Sequence, residues 1–142
     1  MNISSILAGK GNNVITAEPE ASLGSVSRTL AENRIGAIVI LDGNEKVCGI
    51  VSERDIVRQV AARGADALDQ PISVCMTKKV VSCDRQSTID EVMGIMTRNK
   101  FRHIPVIEGG KLAGIISIGD VVKHKIEQAE REAEELKQYI AG

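Results

Sequence analysis

Apolar positions along this chain alternate between two kinds of spacing. Ala37–Leu41, Val47–Ser52, His103–Ile107 and Leu112–Ser117 read as strands, and two of them, AIVIL and LAGIIS, are nearly unbroken apolar runs. Those two runs predict strands buried on both faces, since a strand with one wet face alternates instead. Ahead of each pair of strands the spacing becomes helical: Leu23, Val26 and Leu30 in one place, Ile89, Val92, Met93 and Met96 in the other. Short β-branched segments, Val14–Thr16 and Val80–Ser82, predict an opening strand before each helix, with turn residues Glu18-Pro19-Glu20 and Asp84-Arg85-Gln86 between. Ser87 has the chemistry of an N-cap, with Asp90 at the capping-box position. Asn33 and Asn99 predict the helix ends, because Asn tolerates the left-handed conformation found there. Asp42-Gly43-Asn44 and Glu108-Gly109-Gly110 predict hairpin turns, and closing helices start at Glu53 and Ile118.

The two halves are copies of one another. Val14-Ile15-Thr16 aligns with Val80-Val81-Ser82 at an offset of 66, and Leu23, Leu30, Asn33 and Gly43 align with Ile89, Met96, Asn99 and Gly109. After one deletion, Gly49-Ile50-Val51-Ser52 and Asp55 align with Gly114-Ile115-Ile116-Ser117 and Asp120 at an offset of 65. This is a tandem βαββα duplication of class α+β. A single unit of about 50 residues buries too little to stand alone. The expectation is therefore two copies packed through their sheets about a pseudo-twofold axis, with two clefts between them. The division is 1–13 as a helical lead-in, 14–63 as copy one, 64–79 as linker, 80–125 as copy two and 126–142 as a C-terminal helical extension.

Composition narrows the function classes. Of 142 residues only Phe101 and Tyr139 are aromatic, so the core is aliphatic and base-stacking platforms for single-stranded nucleic acid are lacking. A net charge of −1 gives no general attraction to polyphosphates, so any bound phosphate must be held locally. Cys48, Cys75 and Cys83 form no CxxC, and an odd count is a poor disulfide framework. With no signal peptide and no apolar run of bilayer length, the expected setting is the cytoplasm, without membrane or nucleic-acid partners.

The candidate chemistry lies where a buried strand runs into Ser-x-x-Asp at a helix start: Ser52-Glu53-Arg54-Asp55 and Ser117-Ile118-Gly119-Asp120. A helix N-terminus suits an anion, and a first-turn carboxylate can accept both hydroxyls of a ribose. The same tetrad is also a capping box that needs no ligand. Its recurrence in both copies leaves the two readings level. Arg54 stands inside the first tetrad, where copy two has Gly119, and Arg102 and His103 open a strand expected to line a cleft. Arg holds phosphate bidentately and His adds a pH-dependent donor, although Arg54 on an exposed turn and a structural His103 are equally ordinary. Gly119 either admits a ligand close to the backbone or eases the helix start. There is no nucleophile–base–orienter set, no metal-ligand cluster, no GxxxxGK[ST] and no GxGxxG, so no enzyme and no catalytic cofactor are expected.

The order and spacing of these elements, with Met76-Thr77 before copy two and Arg102-His103-Ile104-Pro105-Val106 on its second strand, resemble the CBS-domain family (cystathionine β-synthase type) over residues 1 to about 126. Ile-Leu-Ala-Gly-Lys-Gly near the start and Ser-Glu-Arg-Asp-Ile-Val resemble small bacterial proteins made of one CBS pair. The resemblance implies a regulatory module binding adenosine-containing ligands, namely AMP, ADP, ATP, and sometimes NAD(H) or S-adenosylmethionine. It implies that Asp55 and Asp120 hold ribose hydroxyls and that Ser52 and Ser117 contact ribose or phosphate. It further implies that backbone around Ile15 and Val81 reads the adenine edge, with Ile104 and Pro105 as apolar walls. Copy one has Gly36-Ala37-Ile38-Val39 where copy two has Arg102-His103-Ile104-Pro105, so the clefts are not equivalent. Some family members regulate thioredoxin-type partners, which makes a redox-linked interaction protein the alternative, with Cys75 in the linker as its accessible thiol. Cys48 and Cys83 read as core residues and His124 as solvated.

From Val122 onward Val122, Ile126, Ala129, Ala133, Leu136 and Ile140 step by 4, 3, 4, 3, 4. That seam predicts a helix contributing to a homodimer, or one packing on its own module, with Ile3–Ala8 as a candidate partner. A regulated protein partner would receive the output.

Overall fold

The computed structural model describes residues 2–10 and 14–141. Its elements are α1 (Ile3–Lys10), β1 (Thr16–Ala17), α2 (Leu23–Asn33), β2 (Ala37–Leu41), β3 (Val47–Ser52), α3 (Glu53–Arg63), α4 (Ile89–Asn99), β4 (His103–Glu108), β5 (Lys111–Ser117) and α5 (Ile118–Ala141). The linker holds two 3-10 turns, Gly64–Asp69 and Ile72–Val74. In copy one, β1 pairs parallel with β2, which pairs antiparallel with β3. In copy two, β4 and β5 form the corresponding hairpin. Ala37 to Ile40 of the AIVIL run are buried at every position, as expected, and so are Ile104 to Val106. The LAGIIS run of β5 is not: only Gly114 and Ile116 are buried, because their face packs under Leu7 and into the copy-two core while the face of Ile115 is partly open.

The opening strand of copy two, expected over Val80–Ser82, does not form. Only Cys83 pairs, in a parallel bridge to Val106, donating to the Pro105 carbonyl at 3.0 Å and accepting from Ile107 at 2.8 Å. The next rung of a parallel ladder would need an N–H from Pro105, which has none. In copy one Val39 occupies that position and two rungs form, at Thr16 and Ala17 rather than Val14 and Ile15.

Local detail departs from the sequence expectation at one helix cap and at the residues that end two helices. Thr88, not Ser87, caps α4, in a box with Glu91; Ser87 instead bonds Asp84 across the preceding turn. α2 and α4 end at Asn33 and Asn99 as expected, but the left-handed residues are Arg34 (φ 53°) and Lys100 (φ 58°), one position on. Asn33 and Asn99 turn back to accept a structural role, each amide donating to the carbonyl four residues earlier at 2.8 Å. The first hairpin turns where expected, with positive φ at Glu45 (60°) and Asp42 Oδ1 accepting from the Asn44 and Lys46 amides. Gly109 and Gly110 both adopt positive φ, the pair a primed two-residue turn needs.

The core is two aliphatic clusters, and each borrows a segment from outside its copy. Ile3, Ile6 and Leu7 of α1 join Ile89, Val92, Met96, Ile104, Val106, Ile116 and Val121 of copy two. Ala67 and Ile72 of the linker join Leu23, Val26, Leu30, Ile38, Ile40, Val51 and Ile56 of copy one. These segments are themselves a repeat, Ile3–Lys10 matching Ile72–Lys79 at an offset of 69. The Ile3 amide donates to Ser87 O and that of Ile72 to Ala21 O; Ser4 donates to Arg85 O and Ser73 to Pro19 O. Leu7 lies over Gly114 and Met76 over Gly49, where an added Cβ would come within 2.5 Å of either side chain. So α1 covers copy two, and the linker covers copy one.

The start of α5 also packs here: Val121 is fully buried, and Lys125 Nζ meets Asp90 Oδ1 at 2.9 Å. His124, expected to be solvated, is half-buried, and its Nδ1 has no hydrogen-bond partner among the described residues. Beyond Ile126 the seam is uncovered, with Leu136 60% and Ile140 76% exposed.

Candidate functional site

Both tetrads make the capping geometry their sequence allows. Ser52 ends β3 and caps α3: its amide and hydroxyl donate to Asp55 Oδ2 at 2.8 and 3.1 Å, and its Oγ receives the Asp55 amide at 3.4 Å. At the start of α5 the Ser117 amide donates to Asp120 Oδ2 at 2.9 Å, and Ser117 Oγ receives the Asp120 amide at 3.1 Å. The surroundings of the two aspartates differ.

Asp55 opens onto a cavity of about 370 Å³ between the copies. Copy one contributes Gly36, Ala37, Ile50, Ser52 and the first turns of α3, with Glu53, Arg54, Asp55 and Arg58. Thr77 and Lys79 come from the linker, and Val81, Asn99 to His103 and Pro105 come from copy two. Arg54, Arg58, Lys79, Lys100 and Arg102 face two carboxylates, Glu53 and Asp55, so the lining is strongly cationic in a chain that is nearly neutral. Asp55 Oδ1 accepts no hydrogen bond among the described residues, which leaves it open to a donor from the cavity.

The chain's asymmetry at Gly36 shapes this cavity. A Cβ there would lie 3.3 Å from His103 Cε1 and Nε2, so Gly36 lets the imidazole approach the backbone of copy one. Burial pushes the His103 pKa below its ordinary value; Glu53 and Asp120 oppose this, and Lys10 and Arg102 reinforce it. His103 is therefore a neutral donor or acceptor at neutral pH, able to charge when an anion arrives.

Of the residues singled out from sequence, Ser52, Arg54, Asp55, Val81, Arg102, His103 and Pro105 are brought together on this cavity. Ile104 is fully buried in the copy-two core, and Ile15 packs against the copy-one core; neither lines the cavity. Ser117, Gly119 and Asp120 lie apart from it. There Asp120 Oδ2 is held by Lys10 Nζ at 2.7 Å. Burial alone would raise the Asp120 pKa, but the Lys10 and Ser117 hydrogen bonds outweigh it and hold the carboxyl below its usual value.

Arg58, Lys79 and Lys100 were not singled out from sequence. Arg58 is one helical turn beyond Arg54 and shares its face, a signal the spacing carried. Lys79 is the repeat mate of Lys10, visible only once the lead-in segments are aligned. Lys100 reaches the cavity because it takes the left-handed turn that ends α4. Cys75, expected to be accessible, is half-buried, and both its burial and the Asp55 carboxylate raise its thiol pKa. Burial pushes the Cys83 thiol up to about 12. Among the described residues no group of three His, Cys, Asp or Glu side chains is placed to hold a metal, and no helix is long and apolar enough to cross a membrane.

Comparison with known proteins finds the CBS domain twice in this chain, at residues 10–62 and 72–127. A 17.7 kDa protein of Acidianus ambivalens is 33% identical over 129 residues, 87% of this chain and 77% of the relative. The crystal structure of the CBS-domain containing protein ATU1752 from Agrobacterium tumefaciens superposes with a TM-score of 0.85 at 50% identity, covering 88% of this chain and 99% of that one. The CBS domain pair of protein MJ0100, solved in complex with 5'-methylthioadenosine and S-adenosyl-L-methionine, shares the fold at a TM-score of 0.80 and 22% identity, covering 90% of this chain and 98% of that one.

Proposed function

The chain belongs to the CBS-domain family as a tandem pair, and from that premise we propose that it is a regulatory module that takes a phosphorylated adenosine ligand (AMP, ADP, ATP or NAD(H)) in the cavity between its copies. The observation that carries this reading is the pairing, in one cavity, of an open carboxylate oxygen on Asp55 with five cationic side chains. A ribose diol donates to Asp55 Oδ1, while the α3 N-terminus, Arg54, Arg58, Lys79, Lys100 and Arg102 neutralise phosphate. Val81, Phe101 and Pro105 supply the apolar surface a purine needs. The adenosine ligands of the MJ0100 pair support the ligand class.

Calorimetric titration with AMP, ATP and NADH tests it. Saturable binding that weakens sharply in Asp55→Ala is expected, and an intact protein that binds none of the three would overturn the reading. The output passes through α5: its uncovered seam of Ile126, Leu136 and Ile140 fits a second copy of the chain, and ligand between the copies biases the arrangement that α5 transmits. The thiols, with raised pKa values at all three cysteines, favour this reading over a redox-linked one.

A further inference from the structure

Beyond the differences at Arg54/Gly119 and Gly36/Arg102, the segments that lead into the two copies break the pseudo-twofold correspondence at one side chain. In copy one, Ile50 exchanges backbone hydrogen bonds with Thr77, its amide donating at 3.1 Å and its carbonyl accepting at 2.9 Å. Lys79, two residues on, then lines the cavity beside Asp55. Ile115 is the counterpart of Ile50, Ala8 of Thr77 and Lys10 of Lys79. But α1 stays helical through Lys10, so Ala8 lies within the helix and is not extended along β5. The Lys10 ammonium takes over: it donates to the Ile115 carbonyl at 2.9 Å and to Asp120 Oδ2 at 2.7 Å. One cation thus satisfies the strand carbonyl and neutralises the carboxylate whose counterpart, Asp55, faces an open cavity.

We propose that Lys10 is an internal occupant of the second cleft, so that the two clefts fill in order: the Asp55 cleft directly, the Asp120 cleft only after Lys10 is released. This rests on the ligand class proposed above and adds an ordering to it. A ligand in the second cleft must bind the Lys10-released state better than the latched one by at least the strength of that contact. Release also frees the last turn of α1, whose Leu7 lies over Gly114 of β5, and uncovers the first turn of α5. Filling of the first cleft leaves α1 in place. Filling of the second reaches α5 through it. One small module therefore distinguishes two ranges of ligand concentration.

Titration with AMP, followed by the backbone amide resonances of Asp55 and Asp120, reads the clefts separately. In the native chain the Asp55 signal is expected to saturate first and the Asp120 signal only at higher AMP. Lys10→Met lowers the Asp120 midpoint about five- to tenfold, the factor a partly exposed charge-assisted contact supports, and moves the Asp55 midpoint, which Lys10 reaches only through His103, far less. Lys10→Arg, which keeps the cation, restores the native order. Joint saturation of both signals in the native chain overturns the proposal, as does an Asp120 midpoint that Lys10→Met leaves unmoved or raises. If AMP shifts neither signal in any of the chains, the nucleotide reading itself falls, and this ordering with it.

Discussion

Asp55→Ala separates the two things a first-turn aspartate can do. The carboxylate accepts from the Ser52 amide at 2.8 Å and the Ser52 hydroxyl at 3.1 Å, so its removal breaks the capping box of α3. Losing such a cap costs about 1 kcal/mol, and losing a negative charge in the first turn costs a further ~0.3–1 kcal/mol. For a chain of this size that lowers Tm by roughly 4–8 °C. The nucleotide loses more. Two ribose hydroxyls donating to an ionised acceptor are worth about 1.5–3 kcal/mol each, so Kd should rise at least ~100-fold. Glu91→Ala supplies the control: it breaks the equivalent box on α4, where Thr88 and Glu91 exchange bonds at 3.0 and 3.3 Å away from the cavity. Thermal unfolding and calorimetry on both variants should show similar losses of Tm but a loss of affinity in Asp55→Ala alone. If both variants lose Tm and neither loses affinity, Asp55 is a cap and nothing more.

Acidification gives an independent handle on His103. Because its folded pKa lies below the ordinary 6.5, the unfolded chain takes up the proton first. Stability is therefore full above about pH 6.5 and falls as the pH drops toward the folded pKa; bound AMP should reduce that fall, and His103→Asn should flatten both curves in thermal-shift series. Arg58→Ala and Lys79→Ala should weaken ATP more than AMP, since the longer phosphate chain engages more of the five cations, and calorimetry at two salt concentrations would reveal equal losses if the assignment were wrong. Leu136→Glu with Ile140→Glu should convert a dimer to a monomer in sedimentation analysis, whereas a native chain that already sediments as a monomer would remove the proposed role of the seam. At pH 8 Cys83 is ionised to only about one part in ten thousand at a pKa of about 12, so iodoacetamide should spare it in the folded chain; rapid labelling there would contradict its burial.

The amino-acid sequence by itself determined the duplication, the two hairpins and the four helices within the copies, because buried strands and amphipathic helices are written in local spacing. The ranges of β2 and β3 and the starts of α3 and α5 fall where the apolar runs and the Ser-x-x-Asp tetrads put them. Failures came where a neighbour in space decided the outcome. Val80–Ser82 has strand chemistry, but the missing Pro105 N–H lies on the opposite strand and removes its second rung. Ser87 has cap chemistry, but Asp84 competes for its hydroxyl, and Thr88 caps α4 instead. The same holds at the clefts. The two tetrads share only Ser and Asp, and Arg54 against Gly119 marks the clefts as unequal, but nothing local says which aspartate meets a cation of its own chain. Tertiary structure does, by laying α1 against copy two and the linker against copy one, so that Lys10 reaches Asp120 while Lys79 stands beside an open Asp55. Helical and strand periodicity report only which face of an element is buried; which charge meets which carboxylate depends on how segments far apart in the chain come to pack together.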